Sequence, residues 1–251
     1  MATRTRRPDR RQEPLSRERI VSAAVELLDT VGEGGLTFRA LAERLATGPG
    51  AIYWHVTGKS GLLAAATDAV VSTALAGDET DATPQEAIRV LALGLFDAID
   101  DHPWVGTQLA RTPSQPPILQ VFERIGRQVQ ALQVPEAAQF TAASALLHYI
   151  LGVAGQNAAN ARTCPPDTDR TEFLDTVATA WTELDPDQYV FTRNVAGQLR
   201  EHDDRAEFVA GIDLILTGIT AHQWSGTTQP RGQRPAGADH PRPGPQGGAS
   251  G

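Results

Sequence analysis

An all-α fold follows from three features of the sequence. Apolar residues recur at helical spacing in one segment after another. No stretch of useful length alternates apolar with polar residues, as a half-buried strand would. Glycine and proline clusters punctuate the periodic runs at intervals that suit helix ends.

Ser16 caps the first helix, in which Ile20, Ala23, Ala24, Leu27, Leu28 and Val31 form one apolar stripe before Gly32-Glu33-Gly34-Gly35 ends it. Thr37 caps a short second helix with Phe38, Leu41, Ala42 and Leu45 at helical spacing. Ala46-Thr47-Gly48 breaks that pattern, and Pro49 opens a third helix of about two turns that stops before Gly58. A longer helix starts near Lys59 and lines up Leu62, Leu63, Ala66, Ala69, Val70 and Thr73.

Thr83-Pro84-Gln85-Glu86 is the next start signal, followed by Ile88, Leu91, Leu95, Phe96 and Ile99 until His102-Pro103 interrupts. A short segment from Trp104 to Arg111 leads into a proline-rich loop, and helical periodicity resumes with Ile118, Val121, Phe122, Ile125, Val129 and Leu132. Pro135 opens a long helix predicted to reach Ala161, with Phe140, Ala143, Leu147, Ile150, Leu151 and Ala154 inward. Phe173, Val177 and Trp181 mark a helix near 171–184, and a turn or helix follows over 187–200. The last helix, 205–222, carries Phe208, Val209, Ile212, Ile215, Leu216 and Ile219.

The chain of 251 residues, 41% hydrophobic and 21% charged, is long enough for one large or two modest cores. No apolar run reaches the length of a membrane span, and the N-terminal arginines precede no apolar stretch of the kind a secretory signal has. A lone cysteine, Cys164, excludes an internal disulfide and agrees with a cytoplasmic location. The net charge of −8 is unevenly placed. Residues 1–62 hold ten basic against seven acidic side chains, and the rest holds twelve against twenty-three. That split suits a basic head that meets a polyanion, carried on an acidic body.

Two short helices joined by a tight turn, ending in Tyr53-Trp54-His55-Val56-Thr57-Gly58-Lys59, describe a helix-turn-helix that reads DNA. Residues 16–63 also resemble the DNA-binding domain of the tetracycline-repressor (TetR) family of bacterial transcription regulators. The resemblance is carried by the helix Arg19–Leu28, by Gly35-Leu36-Thr37-Phe38-Arg39-Ala40-Leu41-Ala42, by Ala51-Ile52-Tyr53-Trp54-His55-Val56, and by Lys59 and Leu62-Leu63. It implies an N-terminal three-helix helix-turn-helix domain at 16–63 and a larger C-terminal helical bundle for ligand binding and dimerisation at 64–224, while composition alone reads 1–15 as a flexible basic arm and 225–251 as a disordered tail.

By the resemblance, Arg39 reaches a base or a phosphate, while Tyr53 and His55 hold the DNA backbone. Trp54 either supports the motif or faces DNA. Thr37 presents a backbone N–H to phosphate, Lys59 meets a phosphate at the start of the following helix, and Ile52 and Val56 are core. Gly50 and Ala51 let the reading helix approach the bases closely, with few polar side chains for direct readout.

In the body, Trp104, Gln108, Phe122, His148, Asn157 and Trp181 are polar or aromatic residues on otherwise apolar helices. Together they predict a cavity for a small apolar or aromatic effector. Gln108 lies nearest to the histidine that helps hold magnesium–tetracycline in tetracycline repressors, and the lack of that histidine argues against tetracycline itself. Small residues on the last helix, Ala210, Gly211, Thr217, Gly218 and Ala221, allow close helix approach across a homodimer interface.

No metal, cofactor or catalytic residue is predicted. The reading is a ligand-responsive repressor that binds a near-palindromic operator as a homodimer. The alternatives are an activator or architectural DNA-binding protein without a small ligand, and an all-α enzyme.

Overall fold

The computed structural model describes residues 14–77, 82–111, 115–163 and 169–221, and among them every regular element is a helix. The residues expected to form the basic arm up to position 13, Cys164 and the expected disordered tail lie outside the described residues. In chain order the helices are α1 (Arg17–Gly35), α2 (Phe38–Arg44), α3 (Pro49–Tyr53), α4 (Gly58–Ala74), α5 (Pro84–Asp101) and α6 (Pro103–Arg111). They continue as α7 (Pro116–Ala131), α8 (Glu136–Thr163), α9 (Arg170–Thr182), α10 (Val190–Leu199) and α11 (Asp204–Ala221).

Local chemistry sets most boundaries. The Ser16 side chain accepts from Arg19 N at 3.2 Å, and Thr37 Oγ1 accepts from Ala40 N at 3.1 Å. At α5, Thr83 and Glu86 close a full capping box: Glu86 Oε2 accepts from Thr83 N at 2.9 Å, and Thr83 Oγ1 accepts from Glu86 N at 3.3 Å. The expected end of the first helix is present as a kink at Gly32, whose φ of 67° is left-handed, with a further turn running to Gly35.

Two other ends share one motif. After α2, Ala46 N donates to Glu43 O and Thr47 N to Ala42 O, while Ala46 itself sits at φ 51°. After α7 the arrangement repeats: Gln133, at φ 61°, donates its N–H to Gln130 O, and Val134 N donates to Val129 O. Both are Schellman turns built without the usual glycine.

α8 is the axis of the body, packed by α5, α6, α7 and α11. By length and composition Glu136–Ala161 is apolar enough to cross a membrane. Its buried positions, including Ala142, Ala143, Leu146, Leu147, Ile150, Ala154 and Ala158, are those of a core helix touched on several sides. Phe208 of α11 is fully buried, with its ring 4.7 Å from Phe96 and 5.7 Å from Tyr149. The Tyr149 hydroxyl donates to Phe208 O at 3.2 Å, and burial, then the nearby Glu207 carboxylate, pushes the phenol above its ordinary pKa.

Several expected inward faces are corrected. Phe140 is 73% exposed, so α8 turns Leu146 and Ala142 inward instead. On α9, Leu174 and Ala178 are buried while Phe173 points outward and Trp181 is half-buried. Ala69 and Thr73 of α4 are exposed. Gly211 makes its close approach inside the subunit: a Cβ there would lie 1.8 Å from the Tyr149 hydroxyl.

Candidate nucleic-acid interface

α2 packs on α1, and α3 packs on α2. Leu41, Ile52, Ile20 and Ala24 are fully or almost fully buried, and with Val56 they belong to one continuous hydrophobic core. Glu26 on α1 accepts from Arg44 Nε at 2.8 Å, which ties the end of α2 to the supporting helix. With Pro49 at the first turn and Gly48 offering no side-chain cap, α3 is only 5 residues long, too short to hold itself without that packing.

The other side of this unit is open. Tyr53 stacks on Phe38 with ring centroids 4.2 Å apart and planes 7° from parallel, which holds its phenol outward at 58% exposure. Trp54 is 90% exposed and His55 is exposed beside it. Thr37, Arg39 and Gly50 are exposed, and Ala51 is half-buried. Arg39 makes no hydrogen bond or ion pair among the described residues, so its guanidinium is available.

Lys59 is placed differently from its neighbours. Its Nζ donates to Glu33 O at 2.7 Å, binding the start of α4 to the kinked end of α1. Gly58 enters that helix at φ 86°.

The expected ligand set does not converge on one cavity. Trp104 is buried, but its indole Nε1 donates to Asp29 Oδ1 at 2.7 Å. Gln108 Nε2 donates to Glu33 Oε2 at 3.0 Å, beside Arg111 Nη1 at 2.9 Å. Asp29 Oδ1 also accepts from His102 Nδ1 at 2.8 Å. These α6 residues therefore face α1.

Asn157 Nδ2 donates to Asp100 Oδ1 at 3.0 Å, and half-buried Phe122 meets Phe140 edge-on at 5.9 Å. His148 is exposed on α8 and Trp181 lies half-buried on α9. The paired roles of Asp29 and Glu33 had no signature in the sequence, because their partners lie 73 to 78 positions away.

A family model described as "Bacterial regulatory proteins, tetR family" matches residues 20–66, and one described as "Tetracyclin repressor-like, C-terminal domain" matches residues 76–223. The structure resembles that of SCO7222, a TetR transcriptional regulator from Streptomyces coelicolor, at 66% identity and a TM-score of 0.76 over 83% of this chain and 99% of that one. BioQ solved with its double-stranded DNA operator is 27% identical with a TM-score of 0.54, over 83% of this chain and 100% of that one. In sequence, an HTH-type transcriptional regulator of Saccharopolyspora erythraea is 32% identical over 139 residues, 55% of this chain and 59% of that protein's length.

Proposed function

We propose, from the premise that the chain belongs to the bacterial tetR family of transcription regulators, that it is a homodimeric repressor whose grip on operator DNA responds to a small ligand. The observation that carries the DNA surface is the exposed run Tyr53-Trp54-His55. An indole 90% exposed has no packing role in the free chain, and Arg39 on the preceding helix has no partner among the described residues. On duplex DNA, Tyr53 and His55 donate to phosphates, Trp54 packs against the sugar–phosphate wall, and Arg39 reaches into the groove. The backbone N–H groups near Thr37 add a phosphate contact, and Gly50 and Ala51 let α3 approach the bases. Lys59 uses one of three ammonium donors on Glu33 O and keeps two for a phosphate.

Dimerisation is supported by two adjoining stripes. Thr141, Ala145, His148, Gly152 and Gln156 are exposed along one side of α8, and Ala210, Leu214, Thr217 and Ala221 along one side of α11. Leu214 is 75% exposed, and the two helices pack against each other, so their free sides form one continuous face. A pair of such faces makes a four-helix interface that places two reading heads on one duplex. His148 belongs to this face. Response to a ligand needs a link between body and head, and the ties of His102, Trp104, Gln108 and Arg111 to Asp29 and Glu33 supply one.

The test selects genomic duplexes with the full chain, then measures affinity for the recovered sequence against salt. A triple variant, Tyr53→Phe, His55→Ala and Lys59→Ala, is expected to lose affinity on all duplexes. Its salt slope is expected to flatten by about one unit for each phosphate that the chain no longer neutralises. Unchanged affinity in that variant overturns the interface.

A further inference from the structure

Between the head and the body lies a cleft of about 610 Å³ that the proposed DNA surface does not use. Its walls come from α1, α4 and the second half of α5, and its volume is in the range of sites that enclose small organic molecules. The floor is apolar, made by Val21, Val25, Val70 and Ala98. Gly94 and Ala74 pinch one end: a Cβ on Gly94 would lie 2.6 Å from Ala74 O, so only glycine lets α5 come so close to α4.

The rim is acidic. Glu18, Asp68, Asp97 and Asp101 line it, with Arg17 as the one arginine among the described lining residues. Asp97 is paired with Arg205 and Asp68 accepts from Gln120, whereas Asp101 is exposed with no hydrogen bond or ion pair among the described residues. Counting Arg17 and the Arg205 paired with Asp97 against the four carboxylates, the lining stays net negative over an apolar surface, and the matching guest carries a positive charge on an apolar frame.

The cleft also touches the link between head and body. His102 is part of its wall, and the same side chain bonds Asp29 of α1. A guest seated against α1 and α5 therefore lies beside that bond.

We propose that this cleft binds a small apolar organic cation, and that its occupation lowers operator affinity; the second half rests on the repressor reading above. The test uses the full chain with tetraphenylphosphonium and tetraphenylborate, which share four phenyl groups and differ in the sign of charge.

Calorimetry is expected to show the phosphonium binding at least tenfold tighter than the borate. The double variant Asp68→Asn, Asp101→Asn is expected to remove most of that preference. An Ala98→Trp variant, with its melting curve checked against the parent chain, is expected to block the phosphonium by filling the floor. Added phosphonium is expected to weaken the operator complex at least tenfold in the parent chain and much less in the double variant.

Equal binding of the two ions, or phosphonium binding that survives Ala98→Trp in a folded chain, overturns the cleft. Phosphonium that binds in the cleft while operator affinity stays constant overturns the coupling. A chain that binds phosphonium in this way but recovers no preferred duplex overturns the repressor reading and leaves the cleft standing.

Discussion

Replacing Asp29 by alanine tests whether the α1–α6 contact holds the head against the body. Asp29 Oδ1 accepts from Trp104 Nε1 at 2.7 Å and from His102 Nδ1 at 2.8 Å. Trp104 is only 5% exposed, so its N–H has little access to water once the acceptor is gone. A hydrogen bond to a charged group contributes about 1.5–3 kcal/mol, and an unsatisfied buried donor costs about 1–3 kcal/mol. The Asp29 side chain keeps 29% of its exposure, which lets solvent offset part of the loss. Asp29→Ala is therefore expected to destabilise by about 1.5–2 kcal/mol.

Trp104→Phe keeps most of the ring and removes the donor, so the two changes form a double-mutant cycle. Urea unfolding followed by circular dichroism is expected to give a coupling energy of about 1 kcal/mol. A coupling below about 0.3 kcal/mol, which is within ordinary additivity, would refute the bond as a significant tie. The same variant measured on operator DNA should bind with altered affinity. An unaltered value would show that the contact stabilises the chain without orienting the head.

Ala46→Gly relieves a left-handed residue in the turn between α2 and α3 and is expected to raise stability by about 0.5–1 kcal/mol, read from the urea midpoint. Leu214→Asp puts a charge in the exposed α11 stripe, and on the proposed dimer interface light scattering at micromolar concentration is expected to report a dimer for the parent chain and a monomer for the variant. The hydrogen bonds from Thr83 hold the Glu86 carboxyl below its ordinary pKa. Because the folded-state value is the lower one, this carboxylate stabilises the helix above the ordinary carboxylate range and loses that effect as pH falls through the folded value. Glu86→Gln keeps an acceptor without a titrating proton, so its acid unfolding curve should be flatter than that of the parent chain.

The helices and their limits were legible in the sequence because caps and breakers act over four or five residues. Thr37, Pro49, Thr83-Glu86 and His102-Pro103 each do locally what their chemistry dictates, and the structure keeps all of these boundaries. The small core under the reading head was legible for the same reason, since Ile20, Ala24, Leu41 and Ile52 fall on narrow stripes with polar residues around them.

Only tertiary structure decided that α8 turns Phe140 outward and that α9 buries Leu174 and Ala178 in place of Phe173 and Trp181, whereas the inward face read for α11 is kept. α8 and α9 are apolar on more than one side, so periodicity alone does not choose between Phe140 and Leu146, or between Phe173 and Leu174. Tertiary packing also gave Gly211 to Tyr149 within the subunit and turned Trp104 and Gln108 from the expected ligand cavity onto α1. The cleft between α1, α4 and α5 was equally hidden, because its floor and rim are single residues from three separated helices. Spacing along the chain records the pull of near neighbours, and these arrangements depend on partners dozens of residues away.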